Sequence, residues 1–356
     1  VDQALRLVWE AANYPWSVRL KAMLPLWLPW LKKRMSISAG LEGQLLRISP
    51  RQIDRRLGPY KADAKKRLYG KTKPGTLLKH QISIKAERWE VGQAGYTEVD
   101  LVSHSGDRAE GEFIHSLTLT DIYTGWTETQ AVMGKSQAYV VEALEKIRQR
   151  LPFRLRGIDS DNGSEFINHH LYSYCQHHDI EFTRGRPYKK DDNAHVEQKN
   201  WTHVRRLMGY SRYDSHRALA AMNRIYGGEL RHLQNLFLPS VKLVSKSRVG
   251  SRLQRHYDQP QTALDRLLAC PGRKPPRLAA LRALRTRLDP FKLSATVDRK
   301  LSAIHALSHA RHNPRRRAME AAAPVENRNG AVSHKGLGKR SAFPTAPTAP
   351  SSGLHI

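Results

Sequence analysis

Tyr96-Thr97-Glu98-Val99-Asp100-Leu101-Val102 is the stretch that decides the fold. Its side chains alternate in the two-residue period of a strand with one face against a core. Asp100 stands near its end. A second apolar run, Leu155 to Ile158, leads into Asp159-Ser160-Asp161-Asn162-Gly163, where turn residues take over. A third segment, Asn193-Ala194-His195-Val196-Glu197-Gln198-Lys199-Asn200-Trp201, reads as helix. The 35 residues 162–196 separate Asp161 from Glu197. Two carboxylates at strand ends and one on a later helix can converge on a pair of hard divalent cations. Such a pair activates an attacking oxygen and stabilises a leaving one in phosphoryl transfer.

The segments between these anchors complete a pattern. Phe113 to Asp121 carries Ile114, Leu117 and Leu119, and Thr124-Gly125 makes a turn. Trp126 to Val132 is a third strand, giving a meander. Ser136 can cap a helix through Leu151, with Val140, Val141, Leu144 and Ile147 at helical spacing; Pro152 ends it. Ser164 opens a second helix with Phe166, Leu171, Tyr174 and Cys175 inward. Ile180 to Thr183 is a fifth strand, and helices follow over 193–209 and 215–235. The order βββαβαβα is that of the ribonuclease H-like fold, an α/β architecture with a mixed five-stranded sheet and helices.

The flanks read as nucleic-acid-binding segments. Residues 1–60 are helical, ending in Ser49-Pro50-Arg51-Gln52-Ile53-Asp54-Arg55-Arg56-Leu57. Ser49 suits an N-cap and Pro50 the first helical position. Ile53 and Leu57 share one face, while Arg51, Arg55 and Arg56 fall largely on others. A short apolar helix, a tight turn and a basic second helix form a helix-turn-helix pattern. Residues 61–95 read as a basic linker, 96–235 as the catalytic core, and 236–270 as a small basic β-rich module carrying Arg248 and Arg252. Residues 271–356 read as a basic, largely disordered tail with a helix at 277–288.

Composition agrees. The 356 residues carry 60 Lys and Arg against 32 acids, a net charge of +28, and 40% are hydrophobic. That is enough for a core, and the field attracts a polyanion, with nucleic acid leading. Cys175 and Cys270 form no CxxC pair and suggest neither structural zinc nor a disulfide framework. His169-His170 and His177-His178 lack partners at zinc-finger spacing. The apolar run Ala22 to Leu31 is too short to span a bilayer and holds two prolines. The chain opens at Val1 without a signal peptide, as a fragment or with an unusual start. A cytosolic protein, with no membrane span, is the default expectation.

Asp100, the Ser160-Asp161-Asn162-Gly163 turn, and Asn193-Ala194-His195-Val196-Glu197 together resemble the catalytic core of the retroviral-integrase and bacterial-transposase superfamily. The resemblance covers about residues 96–210. It is closest to transposases of bacterial insertion sequences, because a helix-turn-helix stands where retroviral integrases carry a His/Cys zinc module. It implies a DDE triad of Asp100, Asp161 and Glu197 holding two Mg²⁺ (or Mn²⁺) ions. Asp100 would bridge both ions, Asp161 would bind one and Glu197 the other. It also implies metal-dependent cleavage and 3′-hydroxyl strand transfer on double-stranded DNA, element ends and target alike, by a homo-multimer. Arg186, Lys189, Lys199, Asn200 and Arg205 join Arg51, Arg55, Arg56, Arg248 and Arg252 as candidate DNA contacts. Related enzymes often have a basic residue one turn after the Glu, where this chain has Trp201. Asp159, Glu98, Asp107 and Asp121 remain rival carboxylates. Two other functions stay open: a decayed or domesticated sequence-specific DNA-binding protein, and a structure-selective ribonuclease H-like nuclease.

Overall fold

The computed structural model describes residues 1–61, 92–160, 165–166, 168–184, 194–249, 252–270 and 276–308. Five strands form one sheet in the order β3-β2-β1-β4-β5. Strands β1 (Tyr96–Ser103), β2 (Ile114–Asp121) and β3 (Thr127–Met133) are the expected antiparallel meander. Strands β4 (Gly157–Ser160) and β5 (Glu181–Arg184) run parallel to β1 on its other side. This is the ribonuclease H-like sheet.

The turn between β2 and β3 is held by Asp121. This buried carboxylate accepts the backbone N–H of Gly95 at 2.7 Å, and the N–H and hydroxyl of Thr124 at 2.7 and 2.6 Å. Asp121 is thus a structural turn residue, and burial raises its pKa against the pull of those donors. Gly95 is required there: its φ is +123°, and a Cβ would stand 2.5 Å from the Arg154 carbonyl oxygen.

Helices cover both sheet faces, which explains why β2 and β3 are buried along their whole lengths despite their polar residues. Helix α5 (Gln137–Arg150), capped by Ser136 as expected, reaches β3 through Arg150, whose Nη1 donates to Gln130 at 2.8 Å. Asn223 of α9 (His216–Gly227) exchanges hydrogen bonds with both backbone groups of Ala131, along the edge of β3 that β2 leaves free. Helix α6 (His169–His177) begins later than Ser164, because Asn168 is its cap and accepts the Leu171 N–H at 2.9 Å. Ser164 lies outside the described residues.

Helices α1 (Asp2–Ala11), α2 (Ser17–Leu31), α3 (Ala39–Arg47) and α4 (Pro50–Leu57) make up the N-terminal segment. Only Ile48 and Ser49 separate α3 from α4, and Ser49 and Gln52 form a full capping box. Ile53 and Leu57 are buried, while Arg51 and Arg55 face solvent and Arg56 pairs with Asp2 at 2.8 Å. The segment is continuous with the core. Trp27 is fully buried, its Nε1 donates to the Phe237 carbonyl at 3.3 Å, and its ring meets Phe291 edge-on.

The C-terminal third differs from expectation in two places. Residues 236–270 contain one antiparallel hairpin, β6 (Leu243–Val249) with β7 (Arg252–Tyr257), followed by helix α11 (Ala263–Ala269). Val244 of β6 and Tyr257 of β7 are 69% and 51% exposed. In the expected tail from 271, α12 (Pro276–Arg287) is the helix expected at 277–288, and α13 (Pro290–His305) is a second, unexpected one. Helix α13 buries Phe291, Leu293, Val297, Leu301 and Ile304. Those residues recur at helical spacing, and Asp289 caps the helix. Basic composition had masked this apolar stripe. Residues 309–356 lie outside the described residues.

Candidate active site

Val99 of β1 pairs with Ser160, the last residue of β4, and β1 runs on through Asp100 to Ser103. Asp161 itself lies outside the described residues. Across β1, Asp100 pairs with Thr118 of β2. Asp100 is half-buried, and its Oδ1 accepts the Leu101 N–H at 2.7 Å.

Glu197 comes from helix α7 (Ala194–Lys199), which continues through a π-helical turn, Asn200–Arg205, into α8 (Arg206–Met208). Wide turns of this kind are frequent at functional sites because they re-aim side chains. Two bonds fix the helix against β1. The Val196 N–H donates to Glu98 Oε2 at 2.9 Å, and Asn200 Nδ2 donates to Asp100 Oδ2 at 2.6 Å. Glu197 is exposed and precedes Asn200 by three residues, so the two are neighbours on one helix surface. The Glu197 turn is therefore docked on the Asp100 strand. Asn200 is buried, and its Oδ1 has no hydrogen-bond partner among the described residues.

The rival carboxylates have other tasks. Glu98 shares a strand face with Asp100 but caps the helix. Its register partner Asp159 is fully buried and accepts the Thr183 hydroxyl at 2.8 Å. Asp107 lies in an exposed loop. The sequence held one signal for the role of Glu98: an acid two residues before Asp100, on its face of the strand, where a solvated group does not belong.

The candidate DNA contacts scatter. The Arg205 guanidinium is partly buried, 4.8 Å from the Tyr210 ring centroid, and close enough to Asp100 to feel its charge. Burial draws its pKa down, while Tyr210, Tyr226 and Asp100 oppose that. Lys199 lines a cavity instead of joining Asn200 beside Asp100. Burial and the charges of Arg19 and Arg266 push its ammonium down to about 7. Trp201 is 39% exposed. Arg186 and Lys189 lie outside the described residues, as do the side chains of Arg248 and Arg252. Among the described residues, no group of three or more His, Cys, Asp or Glu is placed to hold a metal ion, and no helix is long and apolar enough to cross a membrane.

Residues 92–190 match the model of the family described as "Integrase core domain". An uncharacterized protein of Sinorhizobium fredii, y4rM, is 38% identical over 276 residues, which cover 77% of this chain and 78% of that one. Among solved structures, the catalytic core domain of BIV integrase is similar at 21% identity and a TM-score of 0.27, covering 33% of this chain and 70% of that chain. The HTLV-2 integrase catalytic core domain, solved in complex with magnesium, is similar at 13% identity and a TM-score of 0.23, covering 26% of this chain and 61% of that chain. With an integrase core domain laid over its sheet and a relative matched across most of both chains, this protein belongs to the DDE integrase and transposase superfamily of polynucleotidyl transferases.

Proposed function

We propose that this chain is the transposase of a bacterial insertion sequence, and that Asp100, Asp161 and Glu197 form its catalytic triad. The observation that carries the reading is the Asn200–Asp100 hydrogen bond. It docks the helix of Glu197 on the strand of Asp100, beside the end of the strand that runs into Asp161.

The donor set fits a hard divalent ion. Carboxylate oxygens are what Mg²⁺ and Mn²⁺ prefer, Asp100 and Glu197 both have solvent access, and the Asn200 Oδ1 is a further oxygen without a partner among the described residues. Two such ions bound there would supply Lewis-acid activation for in-line displacement at phosphorus. The protein's own part is positioning. Glu98 and Asn200 hold the helix turn, β1 carries Asp100 beside the end of β4, and Arg205 offsets the negative charge of Asp100 before the ions bind.

Double-stranded DNA is the substrate class, and the net charge of +28 favours its capture. Arg51 and Arg55 on the exposed side of α4, with Arg56, Arg186, Lys189, Lys199, Asn200, Arg205, Arg248 and Arg252, remain the proposed contacts. α3 and α4 would act as the helix-turn-helix, and a homo-multimer would pair two element ends.

The test is a nicking and strand-transfer assay on duplexes carrying the inverted repeats that flank the reading frame. Wild type with Mg²⁺ or Mn²⁺ should give 3′-hydroxyl nicks and joined products, and Asp161→Asn should give neither. Identical products from wild type and variant would overturn the assignment.

A further inference from the structure

The helix that carries Glu197 also borders a cavity of about 320 Å³ that Asp100 does not line. Lys199, His203 and Arg206 line it from that helix, and Arg19 lines it from α2. Leu233 of the π-turn Leu233–Phe237 and Val297 of α13 add apolar wall. The size lies at the lower end of small-molecule sites, about 300–1,000 Å³.

Among the described residues, the lining holds three basic side chains, Arg19, Lys199 and Arg206, and no Asp or Glu. Carbonyl oxygens steady two of them: Arg19 Nε donates to Pro239 at 2.6 Å, and Arg206 Nη2 donates to Asn13 at 3.1 Å. The Pro239 carbonyl orients the Arg19 guanidinium without cancelling its charge. Burial, and after it the charge of Arg206, draws the Arg19 pKa down to about 10. Burial with Lys199 and Arg19 nearby keeps His203 neutral well below the ordinary histidine range. Gathering like charges in a partly desolvated cavity is costly unless an anion joins them. Two guanidinium groups and an ammonium suit the oxygens of a phosphate.

We propose that this cavity is a phosphate-binding site, with Arg19, Lys199 and Arg206 as its cationic ligands. It puts a second ligand on the helix of Glu197, and it does not depend on the strand-transfer reading. The phosphate can come from a free phosphate compound or from a nucleic-acid backbone.

The test uses the full chain with chelator present, so that no divalent ion contributes. Melting temperature is followed against inorganic pyrophosphate and against sodium chloride at matched ionic strength. Wild type should show a saturating rise with pyrophosphate beyond that of chloride. Lys199→Gln should lose that rise yet melt no lower than wild type in chloride, because one of three like charges is gone. Arg19→Gln should lose the rise too, and Lys199→Gln carries the test if loss of the Pro239 bond unfolds it. No excess rise in wild type, or a rise undiminished in Lys199→Gln, overturns the site. A second arm identifies the source. If pyrophosphate displaces a labelled duplex from wild type but not from Lys199→Gln, the occupant is a DNA phosphate. If it binds without displacing the duplex, the occupant is a free phosphate compound.

Discussion

Glu98 accepts the backbone N–H of Val196 at 2.9 Å, so a buried strand carboxylate holds the helix one residue before Glu197. A negative group at that end also meets the positive pole of the helix. Glu98→Ala should cost about 1–2 kcal/mol of stability and lower nicking roughly 10-fold, with the Mn²⁺ requirement shifted upward. Glu98→Gln keeps an acceptor and should retain most of both. The pair of variants separates positioning from ligation. If Glu98→Gln were as inactive as Asp100→Asn, Glu98 would be a metal ligand and the positioning role would fall.

Asn200 invites a test of opposite sign. Its amide donates to Asp100 at 2.6 Å. Removing it in Asn200→Ala leaves Asp100 less fixed, and activity should drop about 10- to 100-fold. Asn200→Asp instead places a like charge against Asp100. The metal-free protein should melt lower than wild type, and saturating Mg²⁺ should raise its melting temperature by more than it raises that of wild type. Equal Mg²⁺ increments in the two proteins would mean that Asn200 does not face the ion site.

These docking bonds show where sequence reading stops. The strands, their order along the chain and the helix that carries Glu197 were legible because each rests on local signals: alternation, turn residues and helical spacing. Glu98 and Asn200 were visible as residues, but their bonds join positions about a hundred apart, and no local pattern encodes such a pairing. Helix α13 was missed for a different reason. Its Leu293, Val297, Leu301 and Ile304 do follow helical periodicity, but they sit in a basic region whose average composition resembles a tail. Lys199 reads as a surface cation beside Glu197, and only the packing of α2 and α13 around it makes a cavity wall.

Glu128 ties three elements together and should be the costliest acid to remove. It is fully buried on β3. Its Oε1 accepts Trp126 Nε1 at 2.9 Å and Arg231 Nε at 2.6 Å, and its Oε2 lies 3.5 Å from Arg150 Nε. Arg231 belongs to α10 (Glu229–His232) and Arg150 to α5, so one carboxylate offsets two part-buried guanidinium groups from different helices. Glu128→Ala leaves both uncompensated and should destabilise by about 3–5 kcal/mol, read from urea midpoints. Replacing Glu128 and Arg231 together by alanine should cost less than the sum of the single changes, because the double variant buries fewer unpaired charges. Additive costs would show that the ion pair is not coupled.

Acid should weaken the fold through its buried histidines. His104 is fully buried, with Nε2 2.8 Å from the Ser116 hydroxyl, which in turn lies 2.9 Å from Tyr226 Oη. Burial, then the charges of Arg205 and His115, hold its pKa well below the ordinary value, and His203 is depressed in the same direction. The folded state therefore keeps these rings neutral, while the unfolded chain protonates them below about pH 6.5. More protons bind to the unfolded state, so stability is complete above that pH and falls as the solution is acidified. Each such ring contributes a slope of about 1.4 kcal/mol per pH unit. Urea midpoints measured from pH 7.5 to 5 should decline below about pH 6.5, and His104→Gln should flatten the decline by one histidine's share. A midpoint constant over that range, or a slope unchanged in His104→Gln, would show that His104 protonates within the fold.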